Sequence, residues 1–326
     1  MVNLVKLSGA VAGVAMMGLS SGAMAQAGNG PKGFFDPIYN VCRGLDPACY
    51  SDWGRVRQNK VLIYSRTAGP RHANLGPALP AGLNPTLDPT RNIAQHHLKR
   101  LLNDEGIEVD WTEDVTRLNS LNNYKAVIFL STSRDTMTDH AKTAAGGTQV
   151  DAAKTSLRKY IQGGGGFVAI HNAFGTEYNW PWYEGLLGNA NFYDHGANQN
   201  GDIVFVNKTD VSTAGLPTRV GFKDEWYTLV PFPTNVRFLA TVDTETLAVK
   251  RATGGHPGHG KFHPVSWCQY YDGGKSWVTT LGHDSNAFLP ADQINTAQFK
   301  VEGAMAFQKH VVNGIKSVMG LVPFCK

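Results

Sequence analysis

The sequence predicts an α/β protein built on a mostly parallel sheet, and three observations carry that expectation. Short apolar runs bounded by turn residues recur at Lys60–Ser65, Lys125–Thr132 and Phe167–Ile170, with no alternation of polar residues, as expected of strands covered on both faces. Amphipathic helical stretches separate them, over 90–106 and 149–162. Beyond residue 200 the pattern changes to strands with few helices between them, which reads as antiparallel additions to the same sheet.

Taken in order, residues 1–25 read as a secretory signal. Lys6 supplies the positive end, Leu7–Leu19 is apolar or small, and Ala23-Met24-Ala25 is a small-x-small cleavage site. The run is too short and too rich in Gly and Ser for a transmembrane span. Residues 26–59 are rich in Gly, Pro and Asp and read as an N-terminal extension, and 60–326 as one domain. The first strand, 60–65, runs into a long loop over 66–89. The helix over 90–106 presents Ile93, His97, Leu98, Leu101 and Leu102 on one face and stops at Gly106. Strands at 108–111 and 125–132 follow, then the helix ending at Gln162. Gly163–Gly166 closes that helix and opens the strand 167–170. Later strands are expected at 202–206, 236–242, 265–271 and 276–281. Asp272-Gly273-Gly274 is a hairpin signal between the last two, and a final helix is expected over 292–319.

Composition narrows the function. A net charge of +4 over 326 residues, with no basic cluster, disfavours nucleic acid and anionic membrane as partners. Aromatics at 10%, with seven Trp, suit stacking on sugars, although most large aromatics serve as core. Four cysteines in an exported chain favour two disulfides out of three possible pairings. The short spacing of Cys42 and Cys49 around Gly44 and Pro47 favours Cys42–Cys49 and Cys268–Cys325. Cys268 on a strand in an oxidising compartment is then a poor nucleophile. Gly163–Gly166 lacks the Gly-Lys-Ser/Thr ending of a phosphate loop, and no G-x-S-x-G elbow is present.

Chemistry-bearing residues gather where strands end or loops turn back. His72 follows the first strand, His171-Asn172 follows the strand 167–170, His195 lies in Tyr193-Asp194-His195-Gly196, and His283 follows the strand 276–281. Asp224-Glu225-Trp226-Tyr227 adds a pair of carboxylates. In an open parallel sheet, ligands sit beyond the carboxyl ends of the strands, so several of these loops share an edge. Imidazoles with a carboxylate suit a borderline divalent metal such as zinc, or general acid and base work without one. Each has a plainer reading: a hydrogen-bonded strand-end His, a solvated acidic pair, core Trp180, Trp182 and Tyr183. His96, His97, His140 and His310 read as structural, and His256, His259 and His263 as a surface loop.

The segments VLIYSRTAGPRH (61–72), YKAVIFLSTS (124–133), GGGGFVAIHNAFGTEYNWPWYEGLLG (163–188), DEWYTL (224–229) and HPVSWCQYYDGGKSWVTTLGH (263–283) closely resemble the ThuA-like proteins, named for trehalose utilisation. The resemblance implies a flavodoxin-like, class I glutamine amidotransferase-like three-layer sandwich. In amidotransferases the elbow after the strand 167–170 carries a catalytic Cys; His171 and Asn172 stand there instead, so thioester chemistry is not expected. The resemblance implies an exported carbohydrate-processing protein acting on a disaccharide, glycoside or 3-keto-glycoside as hydrolase, lyase or isomerase. Its rival is a saccharide-binding or scaffold module on the same fold. Carried over position by position, it marks His72, His171, Glu225 and His283 as catalytic, with His171, His195 and His283 as metal ligands. Asn172, Tyr183, Trp182, Asp224 and Trp226 are marked as substrate-binding, the two Trp as stacking surfaces.

Overall fold

The computed structural model describes residues 34–36, 39–53, 57–138, 152–250 and 254–326. The secretory signal, His140 and the first residues of the helix expected over 149–162 lie outside them.

Five strands form the parallel half of the sheet. They are β3 (Gln58–Tyr64), β4 (Glu108–Thr112), β5 (Tyr124–Leu130), β6 (Gly166–Ile170) and β13 (Gly274–Thr279), in the spatial order β4-β3-β5-β6-β13. The order reverses at β3, with β4 on one side of it and β5 and β6 on the other. From β13 the sheet continues antiparallel through β12 (His263–Tyr271), β11 (Arg237–Asp243), β8 (Gln199–Phe205) and β9 (Arg219–Asp224). The mixed sheet with helices on both faces is the α/β architecture that the sequence predicts.

Period-two geometry divides the apolar strands between two cores. Val61, Ile63, Ile128 and Ile170 face α1 (Ile93–Asp104) and α4 (Val301–Val318). Leu62, Tyr64, Phe129 and Phe167 face α2 (Ala152–Gln162) and α3 (Pro181–Leu186). Asp272 and Gly273 both have positive φ, 45° and 94°, and close the β12–β13 hairpin as their residue types demand.

Several expectations need correction. The N-terminal extension is not set apart from the domain: β1 (Phe34–Asp36) pairs with β2 (Val41–Gly44), and β2 adds to β12. Cys42–Cys49 anchors that hairpin, and Cys268–Cys325 ties the C-terminus to β12. The last helix begins at Val301, not at 292, because Asn295 takes Ala297 N–H on its side chain and Phe299 N–H on its carbonyl, a local turn that competes with helix. A separate two-stranded ribbon, β7 (Phe192–His195) with β10 (Tyr227–Leu229), stands beside the main sheet. His259 and His263 are not surface-loop residues. His259 accepts from Leu229 N–H at 3.0 Å and His263 donates to the Tyr227 carbonyl at 2.9 Å, so both hold the ribbon.

Candidate functional site

The carboxyl ends of β3, β5 and β6 open onto one cavity of about 270 Å³, walled by His72, Arg134, Asn172, Phe192, His195, Glu225 and Tyr227 among others. Each side chain arrives by a different local device. Arg71 fixes the loop after β3 by bonding the Gly76 and Pro77 carbonyls and Glu113, which sets His72. Asn74 in the same loop donates to the carbonyls of Gly282 and His283, tying the His72 loop to the His283 loop. His171 is the first residue after β6, at φ 55°, a sharp strand-to-helix turn of the sort that raises a side chain above a sheet.

Glu225 is the hub. Its Oε2 lies 3.1 Å from His283 Nδ1, 3.7 Å from His72 Nε2, and 3.8 Å from both His171 Nε2 and His195 Nε2. His72, His171, Glu225 and His283 each offer a ligand atom, all within 4.8 Å of one another. His171 is oriented by its Nδ1–H, which donates to the Thr280 carbonyl at 2.9 Å and leaves Nε2 as the acceptor facing the cluster. The Tyr227 hydroxyl donates to that Nε2 at 3.0 Å.

Asp224 is a positioning group. Fully buried, it accepts N–H groups from Gly282 and Glu225, at 2.7 and 2.8 Å, and so joins the end of β9 to the loop after β13.

The electrostatics follow from this packing. Burial alone would raise Glu225, but the imidazoles of His283 and His72 outweigh it and hold its carboxyl well below the usual carboxylate range. Burial works against charge on His283, and contact with Glu225 overrides it, raising the imidazole above its ordinary value. Burial, then the neighbouring His72 and His283, push His171 well below 6.5, so it is neutral. Burial pushes Asp224 up to about 7 and Tyr227 well above 10, which keeps that phenol protonated as a hydrogen-bond donor.

The donor set fits a borderline divalent ion: three imidazoles and a carboxylate, two of the four lining the cavity and one imidazole already held in the right tautomer. Two buried ring nitrogens, His72 Nδ1 and His283 Nδ1, have no hydrogen-bond partner. The His283–Glu225 contact is therefore an ion pair out of hydrogen-bond alignment, and a divalent cation could take the place of the His283 proton there.

Compared with the ligands expected from sequence, His72 and Glu225 join His171 and His283, while His195 stands outside the tight group. The reason is topological: His195 rides on the β7–β10 ribbon, whereas the other three histidines follow parallel strands. The expected stacking surfaces are corrected outright. Trp182 is buried, donating to Asp272 Oδ2 at 2.7 Å and stacked on Trp180. Tyr183 is buried with its hydroxyl on the Ala173 carbonyl. Trp226 donates to the Gln199 carbonyl and packs over Gly201. None of the three lines the cavity; Tyr178, Phe192 and Tyr227 do. Sequence reading missed Tyr227, Arg134, Tyr178 and Phe192. Only Tyr227 carried a signal, two residues after Glu225 in extended chain and therefore on the same side. No thiol competes for the role, since all four cysteines are in disulfides.

The fold and site can be set beside known proteins. No curated protein matches this chain. Among solved structures, a ThuA-like protein from Bacteroides uniformis is similar, with TM-score 0.56 and 21% identity over 81% of this chain and 92% of that one. One from Parabacteroides merdae gives 0.54 and 18%, over 80% and 89%. A cytoplasmic protein from Salmonella typhimurium gives 0.51 and 13%, over 79% and 99%. At these identities the likeness is one of fold. The family profile described as trehalose utilisation matches residues 60–316, which takes in every residue of the histidine–glutamate cluster, and the chain belongs to this ThuA family.

Proposed function

We propose that the chain is an exported carbohydrate-processing protein that performs metal-assisted acid/base chemistry on a disaccharide, glycoside or 3-keto-glycoside. The observation that carries this reading is the convergence of His72, His171, Glu225 and His283 within 4.8 Å, with His72 and Glu225 of that cluster lining a cavity at the carboxyl edge of the sheet. Membership of a family described as trehalose utilisation supports the substrate class. The signal-like residues 1–25 and two disulfides, bonds that persist in oxidising compartments, support export. The partner is a small saccharide, with neither nucleic acid nor membrane involved; among the described residues no helix is long and apolar enough to cross a bilayer.

A divalent ion such as zinc held by the four residues would supply a Lewis acid and lower the pKa of a bound water to about 7. The chain's own groups do the rest. Asn172 bounds the cavity beside His171. Tyr227, kept protonated by its burial, offers its hydroxyl as a fixed hydrogen-bond donor at the cavity wall. His195 lines the cavity from the more exposed ribbon side, its Nε2 3.8 Å from Glu225. The pinned Asp224 holds the Glu225 and His283 backbones in register.

The test is a mass-spectrometric screen of products from trehalose and other disaccharides, unoxidised and 3-keto, with purified metal-loaded protein and with His171→Gln. The reading expects a product from at least one sugar, lost in the variant with the fold intact. Saccharide affinity that survives chelation, with no product from any sugar, would instead identify a binding module.

A further inference from the structure

The reacting cavity is small. At about 270 Å³ it falls just below the usual ~300–1,000 Å³ of ligand pockets and suits one sugar ring, not two. Beside it runs an open groove of about 350 Å³ that shares Arg134, Tyr178 and Phe192 with it and adds Asn191, Tyr193 and Val230. The two spaces are one path with Arg134 at the junction.

Two features of this groove face outward. Tyr193 is 53% exposed, with one side of its ring 5.8 Å from the His256 ring, and Val230 is 43% exposed, so an apolar floor is left open to solvent. Arg134 holds a left-handed φ of 57°, which costs a non-glycine residue of order 1 kcal/mol and persists only where neighbours impose it. Its N–H donates to the Gly175 carbonyl at 2.8 Å and its carbonyl accepts from Glu177 N–H at 3.1 Å. Its guanidinium lies 5.4 Å over the Tyr178 ring, and no carboxylate among the described residues pairs with it. Gly69 leaves the room this side chain occupies, since a Cβ there would run into the Arg134 stem. The exposed Arg134 thus presents a planar donor fork where the cavity meets the groove, over Tyr178 and beside the exposed Tyr193. Fixed donors beside an apolar face are what a pyranose ring needs.

We propose that the groove bounded by Arg134, Tyr178, Asn191, Phe192, Tyr193 and Val230 is a second sugar subsite. The substrate is then a two-ring saccharide, with one ring in the cavity, the second on Tyr193, and the bond joining them at Arg134. The inference rests on the carbohydrate reading above and adds the number of rings and the residues that read the second one.

The experiment measures equilibrium binding of trehalose, maltose and cellobiose against glucose and methyl glucoside as one-ring references. It uses the full-length mature protein, Tyr193→Ala, and Val230→Trp, which fills the groove. In the native protein the preferred two-ring sugar binds more tightly than the one-ring references. Tyr193→Ala lowers the ratio of two-ring to one-ring affinity about fivefold, and Val230→Trp lowers it at least as much. One-ring and two-ring sugars binding equally, or a ratio that neither variant moves, overturns the subsite while leaving the carbohydrate reading standing. Native protein that binds no saccharide of either kind overturns both.

Discussion

Tyr227 is the residue whose role is most sharply set by its surroundings. Its hydroxyl meets His171 Nε2 at 3.0 Å and is 3.5 Å from Asn172 Oδ1, and burial keeps it protonated. Tyr227→Phe removes that fixed hydrogen-bond donor but no ligand atom of the histidine–glutamate cluster. Turnover should therefore fall about 100-fold while metal content per chain stays as in the native protein, both read on the same preparation. A variant that turns over normally would remove Tyr227 from the chemistry. At this scale the sequence was uneven. His72, His171 and His283 are legible because each follows an expected strand, and strand ends are countable; Glu225 is legible only as one of an acidic pair beside two aromatics, with no strand expected before it. Trp182 and Trp226 were misread as stacking surfaces because an aromatic side chain beside a polar motif gives no sign of which face its backbone presents. Arg134 was illegible: its place depends on a left-handed backbone and on the space at Gly69, neither of which a residue type announces.

Among the elements, the parallel strands and α1 declared themselves by period and by their turn residues. The ribbon β7–β10 did not, because its strands have four and three residues and pair across more than thirty positions of chain. That ribbon carries His195 and Tyr227, so the part of the site least visible in sequence is the part built by long-range pairing. The helix α4 shows how tightly the layers close. Gly314 lies against the Trp277 ring of β13, where a Cβ has no room, and β13 leads into the His283 loop. Gly314→Val forces helix and strand apart and should cost about 1–3 kcal/mol. The check is a thermal unfolding midpoint several degrees below that of the native protein. An unchanged midpoint would mean that the helix is less closely seated than described.

For the whole molecule, buried imidazoles govern the response to acid. Burial lowers His97, His259, His263 and His310 to about 4 and holds His171 well below 6.5, whereas in the unfolded chain all five titrate near 6.5. Between these values the unfolded state binds more protons, so their stabilising contribution is lost as pH falls from about 6.5 towards 4. Asp224, pushed up to about 7, and the raised His283 act in the opposite sense, binding protons more readily in the folded state. Burial also lowers His96 and raises Glu177 and Asp272, so six lowered imidazoles stand against four raised groups and outweigh them. Metal-free protein should unfold at lower denaturant concentration at pH 5 than at pH 7, and the reverse order would contradict the assignment of neutral buried histidines.

The central claim is that four side chains delivered by separate loops make one metal centre. Zinc titration of chelator-stripped protein, followed by calorimetry, tests it most directly, with His171→Gln and Glu225→Gln run alongside. The account predicts one ion per native chain and at least a tenfold loss of affinity in each variant, both still folded by circular dichroism. Zinc that binds the variants as tightly as the native chain, or does not bind the native chain at all, would contradict it.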